Sequence, residues 1–234
     1  MNLNDRQDAI DEALKKLDDT RTYEGNKLRT LINECAQSRN PEDVIKHSKA
    51  LISLQTRILN GDYIKLFDAA LDLQQYDLFD QYYERAVEDY SDSADLHIMG
   101  ACFYVQTGQS QGFRQSVHCA LELTPNEEQC DFLQMIAVKI GDGETCLRIA
   151  DAAEHLHPQS ILCKAWAATA CLLLEKRTEF EIWVQKTRNA YEEKLQDGEP
   201  TDEEHAHFER LNEIASAAEY IQDKPDFPPA FSLN

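Results

Sequence analysis

A small residue recurs along this chain on a fixed stride. Ala86, Ala120 and Ala153 stand 34 and 33 residues apart, and Thr187 stands a further 34 on. Each of the three alanines closes a helical pattern (Tyr82 to Val87, Val117 to Asn126, Ile149 to Pro158) that breaks about five positions later. Gly108 and Gly141, 33 apart, mark a second break inside the stride, and Gln74 and Glu175 fill the same slot in the flanking units. Pro125 and Pro158 mark the passage to the next unit, with Ser91 in that slot before them. Within each stride the inner break marks the turn between two helices. Such a pair cannot cover its own apolar side, so consecutive pairs stack and share a core. Ala70, Ala101, Ala137 and Ala168 let two helices approach closely, and Phe67, Tyr83, Tyr104 and Val117 fill the adjoining groove.

Composition agrees. Only 8 glycines and 7 prolines occur among 234 residues, too few turn formers for an all-β protein, while 42% hydrophobic residues suffice for a core. The fold class read from sequence is therefore all-α, with helices expected over 62–74, 77–90, 94–107, 110–123, 127–140, 143–156, 159–175 and 178–196.

The unit Ala94 to Glu127 carries Gly100-Ala101 and Tyr104 in its first helix, Gly108 at the turn, then Ala120-Leu121-Glu122-Leu123 and Pro125-Asn126. With the stride, these residues resemble the tetratricopeptide repeat (TPR) family. The resemblance covers residues 60–193 and fades back to 41. The sequence departs from the family pattern in lacking its first-helix tryptophan and in placing Gln134 where a small residue belongs. The resemblance implies an α-solenoid of TPR-like hairpins whose first helices line a protein-binding groove. Some members of that family clamp a chaperone-tail carboxylate with lysine and asparagine; here those slots hold Ile64, Asp68, Ile98 and Cys102, which argues against that specificity.

Four regions follow: an N-terminal helical segment over 1–59, the repeat array of about four hairpins over 60–196, a C-terminal helix over 197–223, and a Pro-rich tail over 224–234. In 2–38, Leu3, Ile10, Leu14, Leu17, Leu28, Leu31 and Cys35 fall on a heptad-like frame that Arg21 and Glu24 interrupt and Gly25 weakens. This predicts one bent helix or two short ones, packing on the chain's own repeats or pairing with a second copy or a partner subunit. Asn40-Pro41-Glu42-Asp43 predicts a helix start, and that helix is expected to run to Leu59 and stop at Asn60-Gly61. Thr201 to Glu204 reads as a capping box opening a helix to Ile221. Phe227, Phe231 and Leu233 either dock the tail or leave it a free end.

The 23 basic and 43 acidic residues give a net charge of −20. That surface repels phosphate backbones, so nucleic acid is not the expected partner, whereas a basic protein is. The polar start Met-Asn-Leu-Asn-Asp-Arg-Gln-Asp lacks the apolar run of a signal peptide, and Ala165 to Leu174 is too short to span a bilayer, so no membrane insertion is expected. Seven cysteines without a Cys-x-x-Cys pair fit a reduced, cytoplasmic protein. His155, His157 and Cys163, or His205 and His207, offer zinc-type ligands at spacings that match no zinc site, and surface histidines are the better reading. Cys119 follows His118 directly, and adjacent helical side chains diverge too far to share a proton. No glycine-rich phosphate loop or nucleophile elbow stands out. No cofactor, metal or catalytic activity is expected.

The expected function is a non-catalytic protein-interaction module. Its groove positions, counted from unit starts near 60, 94, 127 and 161, are Ile64, Asp68, Leu71, Ile98, Cys102, Val105, Asp131, Met135 and Val138. That mixture of apolar and acidic residues suits an amphipathic helix or extended peptide with basic character. A dedicated cytoplasmic chaperone for one client, or a structural solenoid subunit of a larger complex, are the alternatives.

Overall fold

The computed structural model describes residues 3–222, and every element among them is a helix. Two compact units make up the chain, Met1–Leu123 and Thr124–Asn234. The first contains α1 (Leu3–Gln37), α2 (Pro41–Ser53), α3 (Asn60–Asp72), α4 (Tyr76–Asp89), α5 (Ala94–Gln106) and α6 (Ser110–Glu122). The second contains α7 (Glu127–Lys139), α8 (Gly143–Leu156), α9 (Ile161–Leu173), α10 (Arg177–Asp197) and α11 (Asp202–Gln222). The hairpins α3–α4, α5–α6, α7–α8 and α9–α10 begin at 60, 94, 127 and 161, on the stride read from the sequence. The Pro-rich tail 224–234 lies outside the described residues.

The stride has a packing cause. Ala86, Ala120, Ala153 and Thr187 are each at most 1% exposed, one per hairpin on the second helix, and Ala70, Ala101, Ala137 and Ala168 are wholly buried. A side chain larger than alanine or threonine there would hold the helices apart. Within the first unit α3 packs on α5, and within the second α7 packs on α9 and α9 on α11. α11 thus takes the place of a further first helix. Two hairpins are also tied at their open ends in the same way. Tyr90 Oη donates to the Ile58 carbonyl (2.6 Å), and His157 Nε2 donates to the Pro125 carbonyl (2.9 Å), each spanning 32 residues back across its hairpin. His157 is therefore half-buried and structural, not a plain surface histidine.

Turns inside the hairpins share one backbone conformation. Gln74, Gly108, Gly141 and Glu175 have φ of 54°, 71°, 75° and 56°. Only glycine adopts this left-handed region without a Cβ clash. Gln74→Gly and Glu175→Gly are each expected to raise stability by about 0.5–1 kcal/mol in urea unfolding, strain relief outweighing the added chain entropy. Alanine at the same positions keeps the Cβ and is expected to give no such gain.

Two sequence expectations need correcting. The helix starting at Pro41 ends at Ser53, not Leu59, because Gln55 turns left-handed (φ 54°). Asn60-Gly61 opens α3 instead of closing α2. Asp62 accepts the Leu59 N–H (2.9 Å) and is itself fixed by Arg29 Nε (3.0 Å), which supplies a helix start that the Asn-Gly pair concealed. The N-terminal segment is one continuous helix, and its second half packs on α2 and α3, with Ile32 fully buried and Leu28 and Cys35 against the core. Gly25 does not break it, since it is buried where α1 meets Leu51 and Thr56.

Candidate functional site

The nine residues singled out from the sequence form three rows at the repeat stride: Ile64, Ile98 and Asp131; Asp68, Cys102 and Met135; Leu71, Val105 and Val138. The structure places them on first helices, three each on α3, α5 and α7. Their environments differ. Asp68 is exposed, while Ile64, Cys102, Val105, Asp131, Met135 and Val138 are half-buried. Leu71 and Ile98 are buried, 6% and 7% exposed, so they contribute to the core of the first unit.

In the first unit, Asp68 of α3 stands close to Cys102 of α5. Burial pushes the Cys102 thiol up to about 11, and the Asp68 charge adds to the shift. The Asp68 carboxyl is itself raised, first by partial burial and then by Asp72 one turn on. No hydrogen bond or ion pair neutralises Asp68 among the described residues. Half-exposed Ile64, Val105 and Met99 accompany it on α3 and α5. A carboxylate low on an apolar face, beside a second carboxylate, favours the approach of a cation.

In the second unit, Asp131 of α7 accepts a hydrogen bond from Trp166 Nε1 of α9 (2.6 Å). The Trp166 ring meets the His207 ring of α11 edge-on at 5.1 Å. Burial raises the Asp131 carboxyl, the Trp166 bond opposes that, and Glu203 raises it further. Met135 and Val138 lie half-exposed on α7, and Leu172 of α9 is 39% exposed. Trp166, Glu203, His207 and Leu172 were not among the residues taken from the sequence. Carrying the stride one unit further, from Val138 to Leu172, finds the last of them.

Residues suspected of chemistry are occupied otherwise. Burial drives the thiols of Cys130 and Cys171 to about 11 and those of Cys146 and Cys163 to about 12, so they stay protonated at neutral pH and are poor nucleophiles. His118 pairs with Glu122 (3.4 Å) one turn along its own helix. His205 Nδ1 meets Tyr191 Oη (2.5 Å), and His207 Nδ1 meets the Glu203 carbonyl (3.0 Å). No group of three His, Cys, Asp or Glu side chains among the described residues is placed to hold a metal ion. A cleft of about 470 Å³ in the first unit, lined by Lys49, Gln75, Tyr76 and Asp77 among others, contains no nucleophile paired with a base. No helix among the described residues is long and apolar enough to cross a membrane.

Among solved structures the chain is similar to the MamA protein, at 13% identity, covering 74% of this chain and 94% of that one with a TM-score of 0.59. It is similar to a tetratricopeptide repeat protein from Parabacteroides merdae, at 11% identity, 85% and 88% coverage and a TM-score of 0.56. It is also similar to PilF of Pseudomonas aeruginosa, at 16% identity, 90% and 95% coverage and a TM-score of 0.55. No family model matches the sequence, and no curated protein matches it. These likenesses show the fold, an all-α TPR-like helical repeat.

Proposed function

We propose that this chain is a non-catalytic protein-interaction module that takes up a basic, amphipathic helix or extended peptide on the outward sides of its first helices. The observation that carries this reading is Asp68. It is a partly desolvated carboxylate without a cationic partner among the described residues, set on α3 near Cys102 and in the company of half-exposed apolar side chains. Asp131, Met135 and Val138 with Leu172 supply the same combination in the second unit. Apolar burial provides the affinity of such a contact, carboxylates set its orientation, and a net charge of −20 steers a basic partner in. A single-client chaperone and a structural solenoid subunit of an assembly are the alternatives to this reading.

The test is selection of peptides from a random display library on the immobilised full chain. Enriched peptides are expected to be basic and amphipathic, with binding that weakens as salt rises. Asp68→Asn and Asp131→Asn preserve shape and hydrogen bonding, and together they are expected to weaken binding about 5–10-fold. Ile98→Asp is unsuitable because Ile98 is core, and its loss of binding would report unfolding. Enrichment of acidic peptides, or binding indifferent to both asparagine substitutions, would overturn the reading.

A further inference from the structure

We infer that the first half of α1 is a self-pairing element, which joins the same stretch of a second copy as a parallel two-stranded coiled coil. α1 divides into two parts. From Gly25 onward it packs on the other helices of the first unit: Gly25 and Ile32 are buried, and Arg29 reaches Asp62 and the Arg57 carbonyl. Residues 14–20 are all exposed, Leu14 at 58% and Leu17 at 47%. Helices in proteins draw most of their stability from packing an apolar side, and exposed residues 14–20 gain little of it within this chain.

The exposed leucines belong to a seam. Leu3, Ile10 and Leu17 occupy one core position of a heptad, and Gln7 and Leu14 occupy the other. The frame meets Arg21 and Glu24 next. In a parallel pair each would face its own copy, so like charges end the seam there. That is also where α1 turns to its own unit.

Charge selects both the occupant and the direction. In a parallel pair, the flanking position of Arg6 faces that of Asp11 in the second copy, an opposite-charge contact made twice by symmetry, and the next pair sets Ala13 against Asp18. An antiparallel pair of the same seam instead sets Asp11 against Asp11 of the second copy, like against like, and leaves Arg6 opposite uncharged Thr20. The stretch is thus self-complementary in one orientation and self-repelling in the other. This inference does not depend on the faces of α3, α5, α7 or α9.

Sedimentation equilibrium on the full chain tests it. The mass is expected to rise from 26.8 kDa toward twice that value between about 1 and 100 µM. Leu14→Glu with Leu17→Glu alters exposed positions only. The double variant is expected to keep the wild-type melting temperature at low concentration and to raise the dimer dissociation constant at least ~100-fold. Leu14→Cys, at a core position of the parallel pair, is expected to form a disulfide-linked dimer under mild oxidation beyond the wild-type background, and Lys15→Cys, off the seam, is not. A chain monomeric throughout, a dimer that survives the two glutamates, or a Leu14→Cys variant that does not cross-link would each overturn the inference. The first of these outcomes would leave the exposed leucines to a different protein.

Discussion

Phe79→Ala is expected to destabilise the first unit by about 3–5 kcal/mol, the usual cost of removing a buried ring and leaving its cavity. Phe79 on α4 is fully buried. Its ring lies 4.5 Å from Phe67 of α3, 5.1 Å from Tyr83 of its own helix, and 4.4 Å from Phe103 of α5, the last pair parallel to within 1°. It is therefore the side chain through which one hairpin grips the next. A domain's whole stability is only about 5–15 kcal/mol, so the loss is a large share of it. Phe79→Leu, which refills part of the space, is expected to cost less than half as much. Both tryptophans, Trp166 and Trp183, lie in Thr124–Asn234, so tryptophan emission does not report this event. Hydrogen exchange of amides in 60–106 during urea titration does. A cost below about 1 kcal/mol would mean that the aromatic cluster is not what joins the hairpins.

The stride made the hairpins legible because it is a direct record of packing. A buried alanine or threonine on each second helix and a left-handed residue at each turn are constraints that few residues satisfy, so they repeat visibly in the sequence. Gln74 and Glu175 show the limit of residue type alone: neither is a turn former by identity, and only their place on the stride assigns them the conformation of Gly108 and Gly141. Asn60-Gly61 misled for the opposite reason. Its local preference for ending a helix is genuine, yet Asp62 and Arg29, which is far away in sequence, make it a beginning. Gln134 likewise breaks the small-residue rule without breaking the fold. It is fully buried, and its Nε2 donates to the Cys163 carbonyl (3.0 Å) of the next first helix, so the space a small residue would leave holds a polar tie.

The outward faces were less legible. Helical spacing tells which residues share a side of one helix, but not how much of that side a neighbouring helix covers. Ile64 and Ile98 are one stride apart and chemically identical, yet one is half-exposed and the other is core. The Asp131–Trp166–His207 arrangement joins three first helices, and no pairwise spacing announces it, since Trp166 sits one residue off the stride from Asp131. The apolar face of α1 was readable as a heptad, whereas the point at which that face passes from solvent to its own unit required the fold.

Glu204→Ala is expected to loosen the docking of α11 by about 2 kcal/mol, less than the ~3–5 kcal/mol of a fully buried pair because its partner remains partly hydrated. Glu204 is 5% exposed and accepts Lys194 Nζ on both oxygens (2.5 and 2.7 Å) as well as the Thr201 N–H (2.8 Å), while the Lys194 side chain is 39% exposed. Thr201 Oγ1 returns a bond from the Glu204 N–H (3.2 Å), so one carboxylate closes the cap of α11 and ties it to α10. Burial alone would raise this carboxyl, but Lys194 and Thr201 outweigh burial and hold it below the usual glutamate range. A group whose folded value is lowered gives its full stability above the unfolded value and loses it as pH falls through the folded one. Wild-type α11 is therefore expected to hold firm at neutral pH and to loosen in acid, below the ordinary glutamate range. Glu204→Gln keeps an acceptor for Thr201 but loses the ion pair, and should be weaker at neutral pH and flatter toward acid. Hydrogen exchange over 202–211 measures both effects, with about 30-fold less protection expected for the alanine variant at neutral pH. Tyr191 stacked on Phe208 at 3.8 Å and buried Leu211 remain to hold the rest of the helix, so the loss should be confined to its first turns. If protection in the glutamine variant fell with acid as steeply as in the wild type, the pH sensitivity would belong to another group.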